Sequence, residues 1–452
     1  MRAYPRQLQT CASGALLAAA LVLGGCAGYS DRTLEARNAL DAGRPKQALE
    51  LFNEELEVDS AEQLPADLAG DASLLLLSRS MVLQELARYE LSSRDLETCD
   101  KLIELLDFSR SAVDDIGKYL FSDDVGPYKA PPYEKLMINT VNMVNYLARA
   151  DLNGARIEAR RLAVMQKYLE DNEDPARALV GAGSYLAGFV NEKSGRPQEA
   201  LRYYDEALRY GDYATLHEPI RRLAERASYR SPRLQKVLDA AAGAELPNRD
   251  GQSEVFVIAS YGRVPAKVAK RIPIGLALTY ASGALSPFDR ERANKLALQG
   301  LVTWVNFPAM GKPRGQWDNP SAALSGRDVL LEGIVAIDRE AYRAFERTRG
   351  SVVASAITRM IARVVAGQAA NQAGGEGGIG LLLSLATQAT LTATDTPDTR
   401  SWETLPARMA FGRQWVPAGA HAVTVSARGV SRRAELRLEP GGWAAVPLTV
   451  LH

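Results

Sequence analysis

The sequence predicts an α+β protein: an irregular α-solenoid in the first half, then a mixed region, then a small antiparallel β-sandwich-like module at the end. Three observations carry this expectation. Two 14-residue segments, GRPKQALELFNEEL (Gly43 to Leu56) and GRPQEALRYYDEAL (Gly195 to Leu208), are identical at seven positions, and internal similarity of this kind marks stacked helical units. Helical periodicity fades near the polar breaker Pro247 to Gly251. Past residue 401, four short segments alternate or run apolar between Pro-Ala-Gly and Pro-Gly-Gly turns, the pattern of antiparallel strands. The boundaries that follow are 1–25 for a leader, 26–245 for the helical repeats, 246–400 for a mixed α/β region with a helical hairpin, and 401–452 for the β module.

The leader comes first in the chain and says most about location. Arg2 and Arg6 open it, the chain is uncharged from Gln7, and the apolar heart runs from Gly14 to Leu23. That is the layout of a secretory signal, too short to span a bilayer stably. It ends Leu23-Gly24-Gly25-Cys26, which resembles the bacterial lipobox: a large aliphatic residue three before a cysteine, with small residues between. The resemblance is to the lipoprotein signal-peptide class. It implies cleavage before Cys26 and acylation of its thiol, small neighbours being what lets the backbone enter the peptidase. Each buried methylene contributes about 0.8 kcal/mol and stable anchoring takes two chains, so the three acyl groups typical of that class would hold the protein permanently. Ala27 rather than Asp follows the cysteine, which in organisms with an aspartate retention rule favours the outer membrane. The expected place is therefore the bacterial cell envelope, anchored to the outer membrane and facing the periplasm.

Composition agrees with a globular chain and narrows its chemistry. Of 452 residues 46% are apolar, and Lys+Arg and Asp+Glu stand at 54 each. Without Arg2 and Arg6 the basic count falls to 52 against 54 acidic side chains, which is no nucleic-acid footprint. Cleavage would remove Cys11 and modify Cys26, leaving Cys99 alone and no internal disulfide. A domain of this size can rely on its apolar core.

The second repeat copy resembles a tetratricopeptide repeat (TPR). Gly188 lies in its first helix, Gly195 and Pro197 at the turn, and Ala200, Tyr204, Ala207 and Leu208 on the second helix. A small residue at Ala200 lets paired helices approach, while Tyr204 and Leu208 form an apolar stripe at i and i+4. In the first copy Gly43, Ala48, Phe52 and Leu56 hold the corresponding places, with Glu55 where the second copy has Ala207. A weaker third copy is YLARADLNGARIEARR, Tyr146 to Arg161, with Ala155 in the small-residue slot. The segments Asp71 to Glu90 and Leu96 to Leu106 read as extra helices between the recognisable units, and Cys99 reads as a small buried hydrophobe among Leu96, Leu102 and Ile103. The stretch Phe121 to Lys135, with three prolines, must leave the helices and run over the surface or between repeats.

Past residue 251 the elements alternate. EVFVIASYGRVPAKV reads as a strand and turn, and GLVTWVNFPAM as another strand. Arg327 to Gly350 begins as a strand and continues as a helix; SVVASAITRMIARVVAGQAANQ is amphipathic, with Arg359 and Arg363 one turn apart. Gly377 to Thr394 carries no charge, but its serines, threonines and glutamine favour a packed helical hairpin over a membrane span. ARMAFGRQWV, HAVTVSAR, AELRLEP and WAAVPLTVL are the final strands, with Trp402, Leu405 and Pro406 leading into them.

Taken with Cys26, the runs PYEKLMINTVNMVNYLARADLNGARIEARR, YLAGFVNEKSGRPQEALRYYDEAL, ATDTPDTRSWETLPARM and PAGAHAVTV resemble a bacterial family of TPR-containing outer-membrane lipoproteins of undefined activity. The resemblance implies a fold and a compartment and transfers no catalytic residue. His217, His421 and His452 do not form a metal-ligand spacing, and no nucleophile elbow, zinc helix or phosphate loop occurs. No cofactor or metal is expected. Stacked helix pairs offer a concave surface for a peptide or protein, and among Tyr185, Phe189, Tyr203, Tyr204 and Tyr210 it is Tyr203 and Tyr210 that are candidates to line it. The expected function is a lipid-anchored periplasmic adaptor or scaffold, not an enzyme, that binds an envelope protein or peptide through its repeats. The alternative is an envelope hydrolase acting on peptidoglycan or lipid from a cleft between the halves.

Overall fold

Paired helices joined by one recurring turn build the first half. The computed structural model describes residues 28–108, 128, 130–171, 179–313, 317–373 and 397–452. Cys26 with Leu23, Gly24 and Gly25, the residues 121–127, and the uncharged stretch 377–394 expected as a hairpin lie outside the described residues. After α1 (Tyr29–Arg32), the pairs are α2 (Leu34–Asp41) with α3 (Pro45–Glu55), α4 (Ala72–Glu85) with α5 (Tyr89–Phe108), α6 (Pro132–Ala148) with α7 (Leu152–Asp171), and α8 (Val180–Lys193) with α9 (Pro197–Ala207). Helices α10 (Ala214–Ala224) and α11 (Pro232–Ala240) continue the layer.

Each of the four pairs turns on a residue at positive φ: Gly43 (67°), Ala87 (58°), Ala150 (55°) and Gly195 (69°). The next amide reaches back to the first helix each time, Arg44 to the Ala39 carbonyl, Arg88 to Leu83, Asp151 to Tyr146 and Arg196 to Asn191, at 2.8 to 2.9 Å. These bonds satisfy carbonyls that a helix end leaves without partners. Five residues after each turn residue stands a small, fully buried one: Ala48, Ser92, Ala155 and Ala200. Four further on, Phe52, Leu96, Ala159 and Tyr204 are buried too. The pair α4 and α5, expected only as extra helices between units, is thus a unit of the same geometry. Gly188 is required by its neighbour: a Cβ there would lie 2.3 Å from the Tyr204 ring. Cys99 is buried, its thiol donating to the Ser73 carbonyl at 3.1 Å.

The second half contributes β1 (Gln252–Tyr261), β2 (Lys267–Pro273), α12 (Ile274–Tyr280), α13 (Pro287–Leu298), β3 (Trp304–Met310), β4 (Ser321–Leu324), β5 (Arg327–Val329), β6 (Glu332–Ala336), α14 (Ile337–Ala373), β7 (Arg408–Pro417), β8 (Gly419–Ala427), β9 (Val430–Leu438) and β10 (Trp443–Val450). The described chain is α+β, 51% helical and 20% strand. Its strands form two four-stranded sheets, ordered β10-β1-β7-β6 and β5-β4-β8-β9, and a separate ribbon β2-β3. The last four strands therefore do not make a module of their own. β1 lies between β7 and β10, antiparallel to the first and parallel to the second, with Phe256 opposite Arg413 and Ala445. This corrects the boundary drawn at 401 and the all-antiparallel pairing, because the central strand comes from residues 252–261.

Side-chain alternation along β1 explains the layering. Val255, Val257, Ala259 and Tyr261 face the second sheet, where Leu324, Val423 and Val425 meet them. Phe256 and Ile258 face the helices. There Phe256 stacks on Tyr185 with centroids 5.9 Å apart and an interplanar angle of 8°, and lies 4.4 Å from Phe189. Helices α4 and α6 pack on β10 and α8 on β6. The first helix of each of these pairs is thus enclosed between its partner helix and the sheet, which is why Ala72 to Gln84 and Val180 to Asn191 are buried on every side. A helix enclosed in this way must be apolar or paired all round. The ribbon, α12, α13 and part of α14 share a third, smaller core around Ile272, Leu296, Phe307 and Ile357. Among the described residues no helix is long and apolar enough to cross a membrane.

Candidate functional site

A closed group of buried ionisable side chains lies where α8 meets the first sheet. The last turn of α8 supplies Glu192 and Lys193, β1 supplies Glu254, and β7 supplies Arg413. Arg413 sits opposite Phe256 and Glu254 opposite Trp415, so the arginine and the glutamate are diagonal neighbours on one face of the sheet. Arg413 Nε donates to Glu254 Oε1 at 2.6 Å, and Nη2 to Glu254 Oε2 at 3.0 Å. The same Nη2 reaches Glu192 Oε1 at 2.8 Å, and Nη1 reaches the Tyr204 hydroxyl at 2.9 Å. Tyr204 in turn donates to Glu192 Oε2 at 2.6 Å. Lys193 donates to Glu192 at 2.9 Å and pairs with Glu254.

Two cations and two carboxylates close this network with no net charge. The side chains of Glu254 and Arg413 are 0% and 3% exposed, so no substrate reaches them. Burial opposes ionisation of Glu192, but Arg413 and Lys193 outweigh it and hold the carboxyl down at about 2. Burial alone would lower the Lys193 ammonium; Glu192 and Glu254 raise it instead. Every member is bonded to at least one other, so the charges satisfy one another inside the protein. What the arrangement does is fix α8 on the sheet in one register, since a slip would strand a charge in the interior.

A second buried group pins the segment that precedes β7. Glu134, fully buried at the start of α6, accepts from the hydroxyls of Tyr128 and Tyr133 (3.0 Å for the latter) and from the Trp402 amide at 3.0 Å. Burial pushes its carboxyl up, with Lys267 opposing. Trp402, expected only to lead into the strands, is itself 0% exposed. Tyr128 and Tyr133 are buried, so of the two courses expected for 121–135, over the surface or between repeats, the described end does not take the first. A third group, Arg79 with Asp95 (2.7 Å) and Asn53 (3.0 Å), ties α4 to α5 and α3.

The residues singled out in the sequence divide between packing and the network. Gly43 and Gly195 form turns, Pro197 is the first residue of α9, Ala48, Phe52, Ala200 and Ala207 are buried between helices, and Leu208 is half-buried against them. Tyr204 does both, filling the space beside Gly188 and bonding Arg413. Tyr203 and Tyr210 are not set on an open groove, which corrects their expected role. Tyr203 is half-buried and donates to the Ala159 carbonyl of α7 at 3.1 Å; Tyr210 packs on Gly181 of α8. The inner helices that would line a groove are covered by the chain's own sheet. Arg413, Glu254, Glu192 and Lys193 escaped sequence reasoning, although Arg413 within AFGRQWV and Glu254 before VFVIA are charges inside apolar strand patterns.

Elsewhere, an open cleft of about 330 Å³ lies between the α6–α7 turn and the β9–β10 hairpin, lined by Ala150, Leu152, Arg437, Leu438, Glu439 and Trp443 among others. The three histidines are dispersed. His217 pairs with Asp212, and His452 contacts the Arg428 carbonyl. His421 bridges Ser325 (3.0 Å) and the Pro417 carbonyl (2.8 Å) at a hairpin tip. Among the described residues no group of three or more His, Cys, Asp or Glu could hold a metal ion. No protein-family model matches the chain, and comparison with curated proteins finds no significant match.

Proposed function

We propose that this chain is a lipid-anchored adaptor of the bacterial cell envelope, held at the outer membrane through acyl chains on Cys26, facing the periplasm, and binding a protein or peptide partner. Leu23-Gly24-Gly25-Cys26, placed directly after an uncharged apolar run, is the observation that carries this reading. Its four helix pairs are TPR-like units, supported by the shared turn and by the small residue five positions after it. Because α4, α6 and α8 lie under the chain's own sheet, recognition falls to the outward helices. On α7 the exposed Ile157, Val164 and Tyr168 stand at i, i+7 and i+11, one stripe of that helix.

Two variants test the reading separately. Cys26→Ser should abolish incorporation of labelled palmitate and move the protein from the membrane to the soluble fraction; a variant that still labels and sediments would remove the anchor. Val164→Asp, on a side chain 71% exposed, should reduce crosslinks to envelope proteins in living cells without changing anchoring. An unchanged crosslink pattern would take the α7 stripe out of the account.

A further inference from the structure

The ribbon unit carries several exposed apolar side chains beside cations. Ile274 N donates to the Thr303 carbonyl at 3.0 Å, setting the start of α12 beside the start of β3, and α13 ends six residues before β3 begins. Leu276 (41% exposed) lies in the first turn of α12, Trp304 (43%) opens β3, and Leu298 (91%) closes α13. Arg271 lies over the Trp304 ring at 5.3 Å. Along α13, Phe288 (67% exposed), Glu291, Lys295 and Leu298 fall at i, i+3, i+7 and i+10, so they share its outward face, opposite the buried Ala293 and Leu296. Phe288 has Arg292 over its ring at 5.8 Å.

Scattered exposed apolar side chains need no explanation, but several large ones on one small unit do. Charge indicates what covers them. The whole chain is balanced at 54 against 54, whereas residues 268–313 hold six Lys and Arg against Asp289 and Glu291 alone. A protruding tryptophan and leucines rimmed by cations match the interface of an anionic bilayer, where aromatic rings sit at headgroup depth and basic side chains meet the negative surface potential. We propose that the ribbon unit, through Leu276, Leu298 and Trp304 with Arg271 and Lys295, docks on an anionic lipid bilayer. It is a second contact with the membrane, carried by residues far in sequence from Cys26 and independent of acylation there.

The test uses the full chain, with Cys26 intact and as Cys26→Ser, on vesicles of phosphatidylglycerol and phosphatidylethanolamine with brominated acyl chains. Bromine quenches only indole that enters the bilayer. The difference in tryptophan emission between the parent chain and Trp304→Phe isolates the response of Trp304. That response should be quenched on anionic vesicles and not on phosphatidylcholine, in both backgrounds. Arg271→Glu with Lys295→Glu should weaken vesicle binding of the Cys26→Ser chain by roughly tenfold or more at low salt, and Leu298→Ser should reduce the quench. Arg160→Glu, on the outward face of α7, should change neither. Flotation with the vesicles while Trp304 stays unquenched would overturn the proposal and leave the anchor standing. Equal binding by the double variant and by Arg160→Glu would overturn it as well, returning this surface to a protein partner.

Discussion

Replacing Arg413 by methionine removes one guanidinium from the junction of α8 with the sheet while keeping much of its aliphatic length. Two carboxylates then face Lys193 alone. Breaking a buried ion pair by deleting one partner costs about 3–5 kcal/mol, because the remaining charge is left uncompensated in the interior. Glu192 reports the same balance: Arg413 and Lys193 hold its carboxyl below the ordinary carboxylate range against the cost of burial. The pH dependence has a definite sign. A carboxyl depressed in the folded state contributes stability that is present above about 4.5 and is lost as pH falls toward 2. Without Arg413 the burial of the same carboxyl is opposed by Lys193 and the Tyr204 hydroxyl, so protonating it costs the folded variant less than it costs the parent. The gap between parent and Arg413→Met should therefore be about 3–5 kcal/mol at pH 7 and narrow markedly by pH 3. Urea unfolding at both pH values measures it as a shift in midpoint at constant slope. A loss below about 1 kcal/mol at pH 7, or a gap equally wide at pH 3, would refute the role given to this network.

Two turn and packing positions give further tests by the same unfolding assay. Gly188→Ala puts a Cβ 2.3 Å from the Tyr204 ring, and such overpacking should cost about 1–3 kcal/mol; a neutral result would mean that α8 and α9 have room to part. Ala87→Gly should act in the other direction. Ala87 holds φ at 58°, where a Cβ costs about 1–2 kcal/mol against the smaller entropy that glycine adds to the unfolded chain, so a gain of roughly 0.5–1 kcal/mol is expected, and a loss would contradict the turn geometry.

Local rules made the helix pairs legible where glycine marked the turn. Gly43 and Gly195 announced two of them. The pair on Ala87 went unrecognised because an alanine supplies the positive φ and Ser92 takes the small-residue slot, so neither sequence marker is present although the geometry is the same. The final strands were legible too, since alternation is a property of each strand alone. Their partners were not. Pairing of β1 with β7 and β10 joins residue 252 to residues beyond 400, and nothing within either segment records the other. The charged network escaped for a related reason: Glu192 and Lys193 end a helix and Arg413 lies within a strand, and only laying the sheet on the helices brings them together. Tyr203 and Tyr210 failed in the opposite sense, exposed on an isolated hairpin but half-buried once neighbouring pairs stack on it.

The pairing of β1 also changes what kind of object the helical half is. An open array of repeats contacts only its neighbours, so it can unfold unit by unit. Here α4, α6 and α8 are enclosed beneath a sheet whose central strand comes from the middle of the chain and whose flanking strands come from its end. The segment 400–407 is threaded between them: Trp402 bonds Glu134 of α6, while the Val264 amide donates to the Leu405 carbonyl and the Ala407 amide to Gly262. Removing the last strand would leave β1 at the edge of its sheet and take Trp443 off the Phe189 ring. The helices are thus a wall of one core rather than a free scaffold. Any partner they hold must meet their outer surface, and the register of that surface is set from behind by Arg413.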